Sequence, residues 1–192
     1  MAEHVILFAG PMGAGKTTAI RSLSEIEVVS TEAANTDRAQ ADKDTTTVAL
    51  DYGELTLGPD EKVRLYGAPG QKRFDFMWTV LAERAKGLLL LVNNDLPDPI
   101  AKAIEYLGEF EALVAGGAVV IGVTRSDVAP TPDLGAYADA LSQWHPDRTI
   151  PVFTADPRST DHMRTLLLTL VASVEAAEII ASATSGAAET AA

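Results

Sequence analysis

Gly10-Pro11-Met12-Gly13-Ala14-Gly15-Lys16-Thr17-Thr18 has the spacing G-x-x-x-x-G-K-[ST], and the chemistry those residue types share is phosphate binding. Glycines let the backbone wrap close to a phosphate, and successive N–H groups then point into the concavity. The Lys16 ammonium neutralises the outer phosphates as a point charge. The Thr17 hydroxyl suits a Mg²⁺ ion bridging phosphate oxygens. The expected phosphate-binding set is Gly10, Gly13, Ala14, Gly15, Lys16, Thr17 and Thr18, and the expected ligand is a nucleoside triphosphate or diphosphate.

Such a loop works only between a strand and a helix, and the flanks supply both. His4 to Ala9 is a short apolar run that reads as a buried strand, and Ala19, Ile20 and Leu23 recur at helical spacing. Positive potential from that helix N-terminus adds to the site. From about Val28 to Thr46 the chain turns polar and loses periodicity, the mark of a long functional or mobile loop beside the phosphates.

From Thr47, Val48, Leu50 and Tyr52 alternate with polar or small residues. The phase changes after Gly53, which predicts a bulge there. A turn at Gly58-Pro59-Asp60-Glu61 returns the chain through Val63 and Leu65, giving an antiparallel hairpin. Leu65 to Phe74 is a strand end that runs into a glycine-rich turn, and a helix is predicted through Ala85. Leu88–Val92 and Ala118–Val123 are unbroken apolar runs, as expected for parallel strands covered on both faces. Helices are predicted around Ile100 to Leu113, stopped by Gly116-Gly117, around Leu134 to Trp144, and from Met163 to Val174. Pro151-Val152-Phe153 is a last short strand. Strands alternating with helices predict a parallel sheet with helices on both faces, with ligands at the C-terminal strand ends. Asn93-Asn94 at one such end is expected to satisfy buried loop backbone. One domain, residues 1–181, is expected, followed by a frayed tail over 182–192.

A chain of 192 residues with net charge −12 and no cysteine limits the classes further. No disulfide scaffold, cysteine metal site or catalytic thiol is available. The acidic balance, uninterrupted by any Lys/Arg block, argues against nucleic acid or an anionic membrane as a partner and favours proteins. No signal peptide, membrane span or lipid anchor is expected, so the expected location is cytoplasmic.

Five patterns in this order resemble the Ras-like small GTPase superfamily over roughly residues 4 to 176. They are the P-loop, Thr47-Val48-Ala49-Leu50-Asp51-Tyr52 in the manner of switch I, Pro69-Gly70-Gln71-Lys72-Arg73-Phe74 in the manner of switch II, and two base-site segments. Of these last, Thr124-Arg125-Ser126-Asp127 sits where Asn-Lys-x-Asp belongs, and Thr154-Ala155-Asp156 sits where Ser-Ala-Lys belongs. The resemblance implies a three-layer P-loop NTPase fold of the small G-protein type: a mostly parallel six-stranded sheet with one antiparallel edge strand and helices on both faces. Gly67 stands where the family places the switch II aspartate, so one outer contact to Mg²⁺ is missing. That departure, with the run Leu65-Tyr66-Gly67-Ala68-Pro69-Gly70-Gln71, is similar to prokaryotic branches such as the MglA polarity GTPases and conservon-type GTPases.

The resemblance implies GTP and GDP as ligands with Mg²⁺. Asp127 is the specificity residue, because a carboxylate accepts two parallel hydrogen bonds from the N1–H and NH₂ of guanine and adenine offers no such pair. Thr124, Arg125, Thr154 and the Ala155 N–H complete the expected base site. Gly70 joins the phosphate site, Gln71 orients the attacking water, and Thr47 supplies a Mg²⁺ ligand beside Thr17, with Thr45 and Thr46 as neighbouring registers. Met12 is bulky where an external arginine finger would enter, which makes Arg38 the internal candidate. Lys16, Thr47, Gln71 and Arg38 are thus the expected catalytic group. Phe74, Phe76, Met77 and Trp78 make switch II apolar. Partners are expected to be regulatory or effector proteins, and the resemblance implies the Roadblock type. A nucleotide-binding module without turnover and a P-loop kinase are the alternatives. The kinase would need an arginine-rich lid that the sequence does not show.

Overall fold

The computed structural model describes residues 2–30, 50–59, 61–70 and 75–189. In chain order these form β1 (Ala2–Ala9), α1 (Lys16–Leu23), β2 (Val29–Ser30), β3 (Asp51–Gly58), β4 (Glu61–Gly67), α2 (Asp75–Ala82) and β5 (Gly87–Asn93). Then come α3 (Pro99–Glu109), α4 (Glu111–Ala115), β6 (Val119–Thr124), α5 (Leu134–Trp144), β7 (Val152–Thr154) and α6 (Thr160–Glu189). The strands lie in one sheet in the order β2-β3-β4-β1-β5-β6-β7. β3 runs antiparallel to both neighbours and the other pairings are parallel.

Alternation along β1 builds the three layers. Ile6 and Phe8 face α1 and α6, packing with Ile20, Met163, Leu166 and Leu170. Leu7 and Ala9 face the other layer, with Tyr106, Leu107, Tyr137 and Leu141. Leu88 to Val92 are wholly buried because the strand is covered on both faces. At about 1.5–3 kcal/mol per buried leucine, this strand makes a stiff backing for the loop that leans on it. Asp98 caps α3 by accepting the Ala101 N–H at 2.9 Å, with Pro99 at the first turn, and Asp133 caps α5 through Ala136 N–H at 2.9 Å.

The expected three-layer fold is present, with differences that have local causes. The sheet has seven strands rather than six, because Val29–Ser30 pairs with Tyr52 and Asp51 inside the stretch read as loop. The antiparallel strand is therefore second from the edge. The irregular register falls between Thr56 and Gly58, not at Gly53. Gly53 stays in phase because α1 packs directly on it, and a Cβ there would lie 2.8 Å from Ser24 Oγ. The apolar residues on both sides of it serve different faces, with the Tyr52 ring tilted against Tyr66 at a centroid distance of 5.0 Å. The helix expected through Leu113 breaks at Phe110, whose φ of −114° leaves the helical range while its buried ring packs 5.8 Å from Trp78. α6 continues to Glu189, taking in residues expected as tail; their alanines are strong helix formers. Among the described residues no helix is long and apolar enough to cross a membrane.

Candidate functional site

The P-loop leaves β1 at Gly10 under a close approach that only glycine allows, since a Cβ there would sit 1.9 Å from Leu91 O. Gly15 takes the N-cap of α1 with φ 96° and brings no side-chain cap, and Pro157 presses on it so that a Cβ would meet Pro157 Cγ at 2.5 Å. The first-turn N–H groups of a helix have no intrahelical acceptor, so an uncapped start favours an anion.

Lys16 folds back over the loop, its Nζ donating to Gly10 O at 2.7 Å and Pro11 O at 2.9 Å. Burial pulls its pKa down from 10.5 to about 8, against the raising effect of Asp51. A docking polyphosphate raises it again, so between those two values the complex holds more protons than the free protein. Binding of a nucleoside diphosphate at about pH 9 is therefore expected to take up protons, and affinity falls as pH rises past about 8. Calorimetry in two buffers of unequal ionisation enthalpy reads this directly. Equal heats in both would contradict it.

A cleft of about 390 Å³ lies beside this turn, lined by Gly13, Lys16, Thr17, Asp51, Gly67 and Gly70 among others, with Met12 74% exposed at its mouth. Asp51 opens β3 directly opposite Gly67 in the ladder with β4. Thr17 Oγ1 donates to Asp51 Oδ2 at 2.5 Å and Ser30 Oγ donates to Oδ1 at 2.6 Å. A Cβ at Gly67 would stand 3.0 Å from the Asp51 Cβ and 3.1 Å from its Oδ2, so the bare glycine gives room for this carboxylate. Hydroxyl and carboxylate oxygens next to a phosphate-binding loop are the hard donor set that Mg²⁺ takes. The residues present fit that ion, with the carboxylate carried on β3 opposite Gly67 of β4.

A second cleft, of about 690 Å³, opens on the other side of the P-loop and shares Gly13, Gly15 and Thr18 with the first. Asp127, Arg125, Thr124, Thr154 and Ala155 all line it, so the fold gathers the five expected base-site residues in one place. The Asp127 carboxylate is exposed and takes no hydrogen bond among the described residues. Arg125 holds φ 60°, the one non-glycine in the left-handed region among the described residues. Its guanidinium bridges Asp95 Oδ2 at 2.7 Å and Gly13 O at 3.4 Å, tying this cleft to the P-loop. With Asn93 and Arg125 both donating to it, the Asp95 carboxyl is held below its usual range.

Two expected base contacts take other roles. The buried Thr124 hydroxyl lies 3.3 Å from Ala14 O and 3.4 Å from Val92 O, so it fastens the P-loop to the sheet rather than meeting a base. The Ala155 N–H donates to Val123 O at 2.8 Å, so that donor is already engaged by the sheet. Beyond β7, Arg158 clamps Asp156 through both carboxylate oxygens at 2.9 Å and holds its pKa down to about 2. Asn94 satisfies loop backbone as expected, donating to Ala129 O at 2.6 Å and Pro132 O at 3.0 Å.

Gly70 reaches the phosphate cleft, where a Cβ would meet Lys16 Nζ and Met12 N at 2.9 Å. Trp78 Nε1 donates to Pro69 O at 2.9 Å and Tyr106 OH to Gly70 O at 3.1 Å, anchoring the chain just before Gln71. Trp78 is buried in the core. Gln71, Arg38 and Thr47, with Thr45 and Thr46, lie outside the described residues, as do Phe74 and the side chains of Phe76 and Met77.

Comparison with known proteins adds three similarities. A family model described as "Conserved hypothetical ATP binding protein" matches residues 26–184, a span that starts after the P-loop and includes Asp51 and Asp127. An uncharacterised protein of Methanocaldococcus jannaschii is 58% identical over 31 residues, 16% of this chain and 20% of that one, so the match spans a fifth of that relative's length. The G domain of the T. maritima FeoB iron transporter superposes with a TM-score of 0.60 at 17% identity, over 88% of this chain and 97% of that domain. At that identity the fold is what the two share.

Proposed function

This chain belongs to the family described as conserved hypothetical ATP binding proteins, and within it we propose a P-loop NTPase that binds GTP with Mg²⁺ and hydrolyses it slowly to GDP. The observation that carries the guanine reading is the Asp127 carboxylate, which takes no hydrogen bond among the described residues and lines a cleft shared with the P-loop. Guanine N1–H and NH₂ satisfy such an acceptor, and adenine leaves it unpaired.

The residues divide the work as follows. Amides of residues 13 to 18 and Lys16 take the polyphosphate. Thr17 and Asp51 hold Mg²⁺, with Thr47 as a further ligand. When bound, that ion neutralises charge developing on the β- and γ-phosphate oxygens. Gln71 directs a water at the γ-phosphate from the anchored Pro69-Gly70 turn, and Arg38 is the internal cation. By resemblance, segments 30–47 and 67–80 are the parts whose order follows nucleotide state and which protein partners, of the Roadblock type, read. The family description favours a second reading, an adenine nucleotide in the same cleft.

Single-turnover phosphate release from GTP·Mg²⁺ tests the hydrolytic step. Slow release is expected, falling about ten-fold or more in Gln71→Ala. No release from the parent protein would leave a nucleotide-binding module in place of an enzyme.

A further inference from the structure

At the end of the sheet away from the P-loop, His4 is buried to 3% exposure and neither ring nitrogen has a hydrogen-bond partner among the described residues. Two unsatisfied nitrogens in the interior are costly, and such a group calls for an explanation. Two carboxylates flank it. His4 Nε2 lies 3.4 Å from Glu61 Oε1, at the first residue of β4, and Glu175 reaches over from α6. One ligand atom from each of the three lies within 4.8 Å of the others.

The 3.4 Å separation is informative. It is too long for a charge-assisted hydrogen bond, which runs about 2.7–2.9 Å. Two ligands bound about 2.0–2.2 Å from one tetrahedral Zn²⁺ stand roughly 3.3–3.5 Å apart. We infer that His4, Glu61 and Glu175 form a binding site for a borderline divalent cation of the Zn²⁺ class, with water completing the shell. An imidazole nitrogen beside two carboxylates selects such an ion over Mg²⁺. The neighbouring Glu178 is paired with Lys86 at 2.7 Å, which leaves the inner three for the metal. Bound there, the ion clips β1, β4 and α6 together across large sequence separations, and its binding free energy adds to stability. The site is independent of the nucleotide reading.

The test uses the full chain stripped of metal and free of nucleotide, with Co²⁺ as optical probe and Zn²⁺ as competitor. One Co²⁺ per chain with the intense visible bands of a tetrahedral site is expected, displaced by Zn²⁺, and Zn²⁺ should raise the thermal midpoint while Mg²⁺ does not. Glu175→Gln, an exposed change on α6 that leaves the core intact, should weaken Zn²⁺ about ten-fold or more. His4→Phe should abolish the site. An aqueous-type Co²⁺ spectrum, unchanged affinity in Glu175→Gln, or binding that follows His145 or His162 instead would overturn the inference.

Discussion

Asp51→Ala is expected to uncouple nucleotide binding from Mg²⁺. In the parent, Mg²⁺ should tighten a guanosine diphosphate through Thr17 and Asp51, whose oxygens already sit 2.5 Å apart. Removing a carboxylate that positions a metal ligand typically costs about 10–100-fold in metal affinity, and the loss should appear only when Mg²⁺ is present. In EDTA at about pH 7 the loss should disappear, because the P-loop amides remain and the Lys16 ammonium, though it loses the raising effect of Asp51, is still there to meet the phosphates. The register of β3 on β4 makes a sharper version possible. In the double variant Asp51→Gly with Gly67→Asp, the carboxylate moves to the facing strand and should recover part of the Mg²⁺ response. Gly67→Asp alone should destabilise the protein, since its Cβ would crowd the Asp51 Cβ at 3.0 Å beside a second negative charge. A single Asp51→Ala variant with full Mg²⁺ coupling would show that β3 does not supply the acid.

Asp127→Asn carries the second large effect, a change of base. The asparagine amide presents one acceptor and one donor where the carboxylate presented two acceptors. Guanine then loses one hydrogen bond and meets an N–H opposed to its own NH₂. Xanthine, with a carbonyl in that place and an N1–H beside it, matches the amide. One hydrogen bond to a charged acceptor is worth roughly 10–10²-fold in affinity, and the opposed N–H groups add to it, so a loss of about 10²-fold is expected for guanosine diphosphate with a gain for xanthosine diphosphate. Thermal midpoints of the two proteins should agree, because the Asp127 side chain makes no hydrogen bond among the described residues. Competition against a fluorescent guanine nucleotide measures both arms. An unchanged guanine affinity would place the base elsewhere.

Much of this was legible from residue order. The P-loop and the apolar runs of β1, β5 and β6 each state a local rule that the packing obeys. The five residues expected at the base site line one cleft because strand ends of one parallel sheet share an edge. The Asp51 role was not legible, and the reason is geometrical. A regular hairpin closed by Gly58 to Glu61 would set Asp51 opposite Ala68. The register shift between Thr56 and Gly58 sets it opposite Gly67 instead, and a one-residue slip decides which side chains meet. Thr124 and Ala155 line the same cleft as Asp127, yet their donors serve the protein's own carbonyls. Sequence carries where a backbone segment lies better than where its hydrogen bonds go. His4 stayed hidden for a related reason, since its partners Glu61 and Glu175 are brought to it by β4 and α6 from distant parts of the chain.

The claim on which the rest turns is that one polyphosphate-binding loop works with a carboxylate that selects the purine. Titration calorimetry of the full chain with guanosine diphosphate and with adenosine diphosphate, each with Mg²⁺, measures that selection directly. Guanosine diphosphate should bind about a hundred-fold or more tightly than adenosine diphosphate. Equal affinities, or a preference for adenosine diphosphate, would contradict the account.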